Sequence, residues 1–114
     1  MAIYQNTALD RTFQALGDST RRGMLALLAQ NGAQTAGDLG KPFRIAQPTA
    51  SKHLKVLETA GLVSREIDGR IHRFTLSPAN LSEARDWIDT HQAFWEGTLD
   101  RLEHFLESDL DTEE

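Results

Sequence analysis

The sequence predicts a mainly α-helical fold with one small β-hairpin, and three observations support this prediction. Apolar residues recur at steps of three and four along most of the chain, as they do in amphipathic helices. Two short stretches of alternating residues flank Asp68-Gly69, a pair typical of tight hairpin turns. The chain has 114 residues, 39% of them hydrophobic and 25% charged, which suits one globular domain. We therefore expect a single domain that spans residues 1–114.

Composition excludes several classes of protein. The chain has no cysteine, which excludes disulfides, thiolate metal sites and thiol catalysis. The first ten residues lack the basic and apolar regions of a signal peptide, and no stretch approaches the roughly 20 apolar residues of a membrane span. No glycine-rich phosphate loop or nucleophile elbow is present, so we expect neither an enzyme nor a bound cofactor. We expect a cytoplasmic protein.

Charge is distributed unevenly along the chain, whose net charge is −5 at pH 7. Residues 41–73 hold seven basic and three acidic side chains, whereas residues 77–114 hold two basic and eleven acidic ones. A phosphate backbone would bind at the basic stretch. A chance excess of cations on a solvated surface is the alternative.

Three short helices are predicted in the first forty residues. Leu9, Phe13 and Leu16 recur at helical spacing and predict the first. The second begins after a cap within Asp18–Thr20 and ends at Asn31-Gly32. Its apolar residues predict a buried stripe: Met24, Leu25, Leu27 and Leu28. Thr35 is a plausible cap for a third helix that ends near Leu39, followed by a turn around Gly40 and Pro42.

A fourth helix, from Gln47 to Ala60, has two chemically different faces. Pro48 fits its first helical position, with Gln47 just outside. One face is apolar and small, and it comprises Ala50, Leu54, Leu57 and Gly61. We call the opposite side the outer face; it comprises Pro48, Lys52, Lys55 and Thr59, flanked by Thr49, Ser51 and Val56. Such a short, hydroxylated and basic face suits a helix that lies in a groove of DNA.

A β-hairpin follows this helix. Residues 63–67 alternate, Asp68-Gly69 marks the turn, and Ile71–Leu76 alternates again. Arg70 stands at the tip of the hairpin, flanked by Arg65, His72 and Arg73. Alternation places His72 beside Phe74 and Leu76, so we expect it to be buried.

The last predicted helix is long, because no proline interrupts the chain from Leu81 to about Leu106. At about 100° per residue, its bulky apolar residues fill an arc of about 160°. This apolar arc comprises Leu81, Trp87, Ile88, Phe94, Trp95, Leu99, Leu102, Phe105, Leu106 and Leu110. A small domain covers only part of so wide a face, so we expect a homodimer. Its expected interface comprises Phe13, Leu81, Ile88, His91, Trp95, Leu99, Leu102 and Leu106. The alternative is that the whole arc is core within one chain.

The order of these elements is that of a winged helix-turn-helix domain with an added C-terminal dimerisation helix. In this arrangement the fourth helix enters the major groove, and the hairpin, or wing, reaches phosphates or the neighbouring minor groove. The residues expected to contact DNA are Gln47, Thr49, Ser51, Lys52, His53, Lys55, Arg65, Arg70 and Arg73. Gln47 suits adenine, and Lys52 and Lys55 suit phosphate or guanine. The alternatives are a solvated helix face and, for His53, simple packing.

Several runs of residues resemble the ArsR/SmtB family of bacterial winged-helix regulators. They are Ala15–Arg22, Gln47–Glu58, Ala60–Val63, Gly69-Arg70 and Phe74–Leu76, within a resemblance that extends from about Asp10 to Leu110. The Lys41–Phe43 segment and the Phe94-Trp95 pair are similar to the branch that lacks the usual metal-binding cysteines. The resemblance implies a homodimer that binds an imperfect palindrome in a promoter and represses transcription, usually until an inducer releases it.

The resemblance also requires a search for metal ligands. Besides the site built from cysteines, the family has a second metal site that uses Asp, His, His and Glu on the last helix. Four residues match this second site superficially: Asp89, His91, His104 and Glu107. Thirteen residues rotate His104 by about 220° from His91, so the two rings do not share a face. We therefore predict no metal site. A zinc-responsive repressor and a winged-helix module that binds protein instead of DNA remain as alternatives.

Overall fold

The computed structural model describes the backbone of residues 7–112 and the side chains of residues 7–108. The elements, in chain order, are α1 (Thr7–Leu16), α2 (Ser19–Asn31), β1 (Gln34–Thr35), α3 (Ala36–Gly40), a 3₁₀ turn (Lys41–Phe43), α4 (Gln47–Thr59), β2 (Val63–Asp68), β3 (Ile71–Leu76) and α5 (Ala79–Thr112). The predicted fold class is confirmed. None of the helices described here is long and apolar enough to span a membrane.

The chain divides into two compact units, Met1–Ala84 and Arg85–Glu114, and the division falls within α5. The core of the first unit is drawn from every helix before α5 and from the hairpin. Its buried residues are Ala15, Met24, Leu25, Leu28, Ala36, Leu39, Ala50, Leu54, Leu57, Ala60, Leu62, Val63 and Phe74. Leu27, which the sequence placed in the buried stripe of α2, is only half-buried.

Two arginines close the end of α1 where the next helix begins. The side chain of Asp18 caps α2 by accepting the backbone N–H of Arg21 at 3.1 Å. The Arg21 Nε donates to the carbonyl of Ala15, and the Arg22 Nη1 donates to that of Leu16, both at 2.7 Å. Carbonyls at a helix C-terminus lack partners within the helix. The two guanidinium groups therefore satisfy the end of α1 and fix its position against α2.

The helix-turn-helix consists of α3 and α4. Thr35 caps α3 as predicted, since its hydroxyl accepts the backbone N–H of Asp38 at 3.2 Å. A Cβ on Gly40 would lie 3.0 Å from the Cβ of Ala50, so the glycine allows α3 and α4 to approach closely. The sequence prediction was off by one residue at the start of α4. Gln47 is the first helical residue and Ala46 precedes it as a cap without a side-chain hydrogen bond.

The hairpin is part of a three-stranded antiparallel sheet with the order β1-β3-β2. Strands β2 and β3 pair from Val63 with Leu76 to Asp68 with Ile71, so the two turn residues are Gly69 and Arg70, one position later than the predicted turn at Asp68-Gly69. Gly69 in that turn has a φ of 61°, in the left-handed region that favours glycine. Strand β1 was missed by the sequence analysis because two residues are too few to show alternation.

Helix α5 is longer than predicted, and most of the apolar arc is exposed. From Trp87 to Leu106, eight of its members keep between 43% and 67% of their surface accessible. The interpretation of the arc as intrachain core is therefore wrong for these residues. Leu81 differs, because it is partly buried and packs against the core of the first unit. The side chain of Leu110 lies outside the described residues.

Candidate nucleic-acid interface

Helix α4 separates its buried and exposed residues as its sequence predicts. Ala50, Leu54 and Leu57 are fully buried, which anchors one side of the helix in the core. The opposite side is accessible, and its exposed residues include Gln47, Thr49, Ser51, Lys52 and Lys55. The Lys55 Nζ lies 3.9 Å from the Glu58 Oε1, yet the Lys55 side chain remains 72% exposed. The outer face is therefore free to meet a partner.

His53 lies between α4 and the start of α2. Its Nδ1 is 3.2 Å from the Arg21 Nη1 and 3.9 Å from the Asp18 Oδ2. Since a guanidinium only donates, a neutral His53 accepts through Nδ1 and carries its proton on Nε2. The half-buried ring thus ties α4 to α2.

Asp18 supports the same junction electrostatically. The backbone N–H of Arg21 donates to its carboxylate and is the main reason why the pKa of Asp18 lies below its usual value of 3.8. Desolvation opposes this effect, while the charge of Arg21, and that of His53 in its protonated form, lower the pKa further. Sequence reasoning placed Asp18 among the possible caps but missed the contact with His53, which joins residues 35 positions apart.

The wing presents its three predicted arginines differently. Arg70 in the turn and Arg73 in β3 are exposed. Arg65 in β2 is engaged within the protein, because its Nε and Nη2 each donate to the Glu58 carboxylate at 3.1 Å. Its Nη1 lies 3.2 Å from the Nδ1 of His72. His72 is half-buried, so the expectation of burial was right only in part.

A cleft of about 370 Å³ separates the start of α4 from the wing. Gln47 and Ser51 line it from the helix, and Arg65, Arg70 and His72 line it from the wing. The structure therefore brings four of the DNA candidates, Gln47, Ser51, Arg65 and Arg70, to one opening. The remaining candidates, which do not line it, are Thr49, Lys52, His53, Lys55 and Arg73.

A second groove, of about 460 Å³, runs along the other side of α4. Lys55 lines it together with Arg11, Gln14 and Arg21, above an apolar floor that includes Val56. Sequence reasoning missed Arg11 and Gln14 as neighbours of α4. Their position in α1 gives no local signal of this contact, which arises only from the packing of α1 against α4.

The residues considered as metal ligands do not converge. Within residues 7–108, no three His, Asp or Glu side chains lie close enough together to hold a metal ion. The His91 Nδ1 is 2.8 Å from the carbonyl of Trp87, and the His91 ring stacks on the Trp87 indole at 3.9 Å. His104 lies 3.8 Å from Glu107. Each histidine thus has its own local partner on α5.

These features define the class of protein. A helix-turn-helix with a cationic second helix, followed by an antiparallel hairpin with arginines near its tip, is a winged helix-turn-helix domain of the kind that binds DNA.

Comparison with known proteins identifies the family. A family model described as a helix-turn-helix domain matches residues 16–66. The chain is 35% identical to the HTH-type transcriptional regulator Rv2034 of Mycobacterium tuberculosis over 97% of its own length and 98% of the relative. It is 34% identical to the transcriptional repressor SdpR of Bacillus subtilis, over 70% of this chain and 88% of that protein.

A solved structure agrees with these relatives. The crystal structure of the ArsR family transcriptional regulator RHA00566 matches with a TM-score of 0.71 and 34% identity, covering 78% of this chain and 91% of that one. The chain belongs to the ArsR family of winged helix-turn-helix transcriptional regulators.

Proposed function

We propose that this regulator is a homodimeric repressor that binds a palindromic operator in a promoter, and that it acts in the cytoplasm. The single observation that carries the proposal is the geometry around the cleft. The outer face of α4 is exposed, with Lys52 and Lys55 on it, and the exposed Arg70 of the wing borders the same opening as Gln47 and Ser51. Basic side chains that suit phosphates therefore lie on both sides of polar side chains that suit hydrogen bonds with base edges. The name of SdpR, a transcriptional repressor, supports repression over activation.

The exposed apolar arc supports the dimer. Within the second unit, Trp87, Ile88, Trp95 and Leu99 each leave two-fifths or more of their surface accessible to water. A contiguous apolar surface of this kind is a mark of an interaction site. A second copy of the chain is the partner that also accounts for a two-fold operator, because a two-fold dimer recognises two half-sites of opposite orientation.

Acidic side chains on α5 favour one orientation of the dimer on DNA. At about 100° per residue, six acids fall within about 100° of one another, outside the apolar arc. They are Asp86, Asp89, Glu96, Asp100, Glu103 and Glu107. Phosphates repel such a stripe, so we expect α5 to face away from DNA.

The proposal is tested by footprinting on the DNA upstream of the protein's own gene. We expect two protected blocks related by two-fold symmetry, with centres about 10 base pairs apart, which is one helical turn. Binding should saturate at two chains per site, and the same fragment should reduce expression of a reporter gene when the protein is present. A shuffled fragment of equal length serves as the control.

Equal binding to both fragments would contradict sequence-specific recognition. Binding to neither at low salt would favour the module that binds protein instead of DNA. An inducer would appear as a small molecule that releases the protected blocks.

A further inference from the structure

One guanidinium group joins the wing to α4. Arg65 in β2 forms two parallel hydrogen bonds with the carboxylate of Glu58 in α4, Nε to Oε2 and Nη2 to Oε1, each 3.1 Å long. The third nitrogen, Nη1, lies 3.2 Å from the Nδ1 of His72 in β3. The guanidinium carbon is 4.9 Å from the centroid of the Phe74 ring, which is itself buried. Arg65 thus contacts α4 and β3 at once.

This contact is partly shielded from solvent at its side chains. The side chains of Arg65 and Glu58 are 30% and 27% exposed, whereas the exposed pairs of the chain, such as Lys41 with Asp38, are far more accessible. A bidentate pair of arginine and carboxylate fixes direction as well as distance, because both groups are planar. Stacking on Phe74 restricts the guanidinium further.

We propose that Glu58 and Arg65 are positioning residues for DNA binding. Their paired contact holds the wing at the separation from α4 at which Arg70 borders the same cleft as Gln47 and Ser51. Arg65 then contributes to affinity through the placement of Arg70, and not as a direct contact with phosphate. This inference rests on the proposed function, since it concerns how the DNA-binding surface is assembled.

Because Glu58 is negatively charged, a positioning role and a purely electrostatic role predict opposite effects of its substitution on the affinity for DNA. Glu58 lies beside the outer face, with its Oε1 3.9 Å from the Lys55 Nζ. If only electrostatics mattered, removal of this negative charge would strengthen binding to DNA. If Glu58 holds the wing through Arg65, the same change would weaken binding.

The test therefore compares Glu58→Gln with Glu66→Gln. Glu66 is the next residue of β2 after Arg65, is exposed and pairs across the sheet with Arg73, so its substitution removes the same charge from the wing. We expect Glu58→Gln to weaken operator binding about five-fold, and Glu66→Gln to leave it unchanged or slightly tighter. Fluorescence anisotropy with a labelled operator measures both, and circular dichroism verifies that each variant is folded.

Arg65→Lys separates positioning from a direct contact. Lysine keeps the positive charge but cannot form the paired hydrogen bonds or the stacking. A positioning role predicts a loss of affinity similar to that of Glu58→Gln, together with a shallower salt dependence, because a misplaced Arg70 loses its phosphate contact. A direct phosphate contact would survive in the lysine variant, and this outcome would overturn the proposal.

A double-mutant cycle adds a readout that a general loss of stability would not move. In an Arg70→Ala background, Glu58→Gln should have little further effect, because the wing no longer carries the contact that Glu58 positions. Additive losses would contradict the proposal. If the wild type binds the operator and Glu58→Gln behaves like Glu66→Gln, only the positioning role fails. If the wild type binds no DNA, the proposed function fails and takes this inference with it.

Discussion

Replacement of Gly61 by alanine tests how the end of α4 is joined to the wing. Gly61 follows α4 with a φ of 74°, in the left-handed region. A Cβ at this position would collide with the Nδ2 of Asn80, the atom that donates to the carbonyl of Ala60 at 2.9 Å. Alanine therefore imposes backbone strain and also displaces Asn80 from the carbonyl at the end of the helix.

The expected cost follows from these two effects. Alanine in the left-handed region costs about 1 kcal/mol relative to glycine, and loss of the Asn80 hydrogen bond costs about 1 kcal/mol. Displacement of the partly buried Asn80 side chain adds a further cost, so we expect the free energy of unfolding to fall by about 2–3 kcal/mol. For a domain of this size the melting temperature should fall by about 10 °C.

Thermal unfolding followed by circular dichroism measures the effect, and two variants serve as controls. Gly69→Ala has a similar φ of 61° with no atom within 4 Å of the added Cβ, so it reports backbone strain alone. Asn80→Ala reports the hydrogen bond alone and removes the obstacle, so Gly61→Ala should cost less in that background. If Gly61→Ala destabilises no more than Gly69→Ala, the account of this junction is wrong.

Two further predictions concern the cap of α2 and the dimer. Because the folded protein lowers the pKa of Asp18, ionised Asp18 stabilises the fold above its usual pKa of 3.8, and this contribution is lost as pH falls through the lower folded value. Between about pH 6 and pH 3, the melting temperature of the wild type should therefore fall more than that of Asp18→Asn, which keeps a cap but does not titrate; equal losses would show that this carboxylate is not involved. Trp95→Asp and Leu99→Asp should dissociate the dimer in sedimentation experiments, since each would bury an unpaired charge in the interface. Ala93→Asp adds the same charge to an exposed position outside the apolar arc and should leave the dimer intact, whereas a dimer that survives both arc substitutions would place the interface elsewhere.

The periodicity of apolar residues was sufficient to predict those features of the fold that depend on a single helix or hairpin. The spacing of Ala50, Leu54 and Leu57 defined the buried side of α4, and with it the exposed side on which Lys52 lies. Asp68-Gly69 defined the hairpin because a left-handed residue was needed at the turn. The start of α4 was misplaced because Ala46 gives no capping signal.

Contacts between elements could not be predicted in the same way. Arg65 was grouped with Arg70 and Arg73 because all three are cations of the wing, and the sequence contains no signal that only Arg65 turns towards Glu58. The contact of His53 with Arg21 depends on how α2 packs against α4, which periodicity does not define. These are the positions at which side-chain geometry changes the functional interpretation of a residue.

The proposed function requires that the outer face of α4 and the tip of the wing bind the phosphates of DNA. The most direct measurement is the slope of log affinity against log salt concentration for Lys52→Ala and Arg70→Ala on the operator. Since a dimer carries each residue twice, each substitution should reduce the slope by about two units and weaken binding. Arg85→Ala, which removes an exposed cation of α5, should leave the slope unchanged. If Lys52→Ala and Arg70→Ala together keep the affinity and the slope of the wild type, the claim is contradicted.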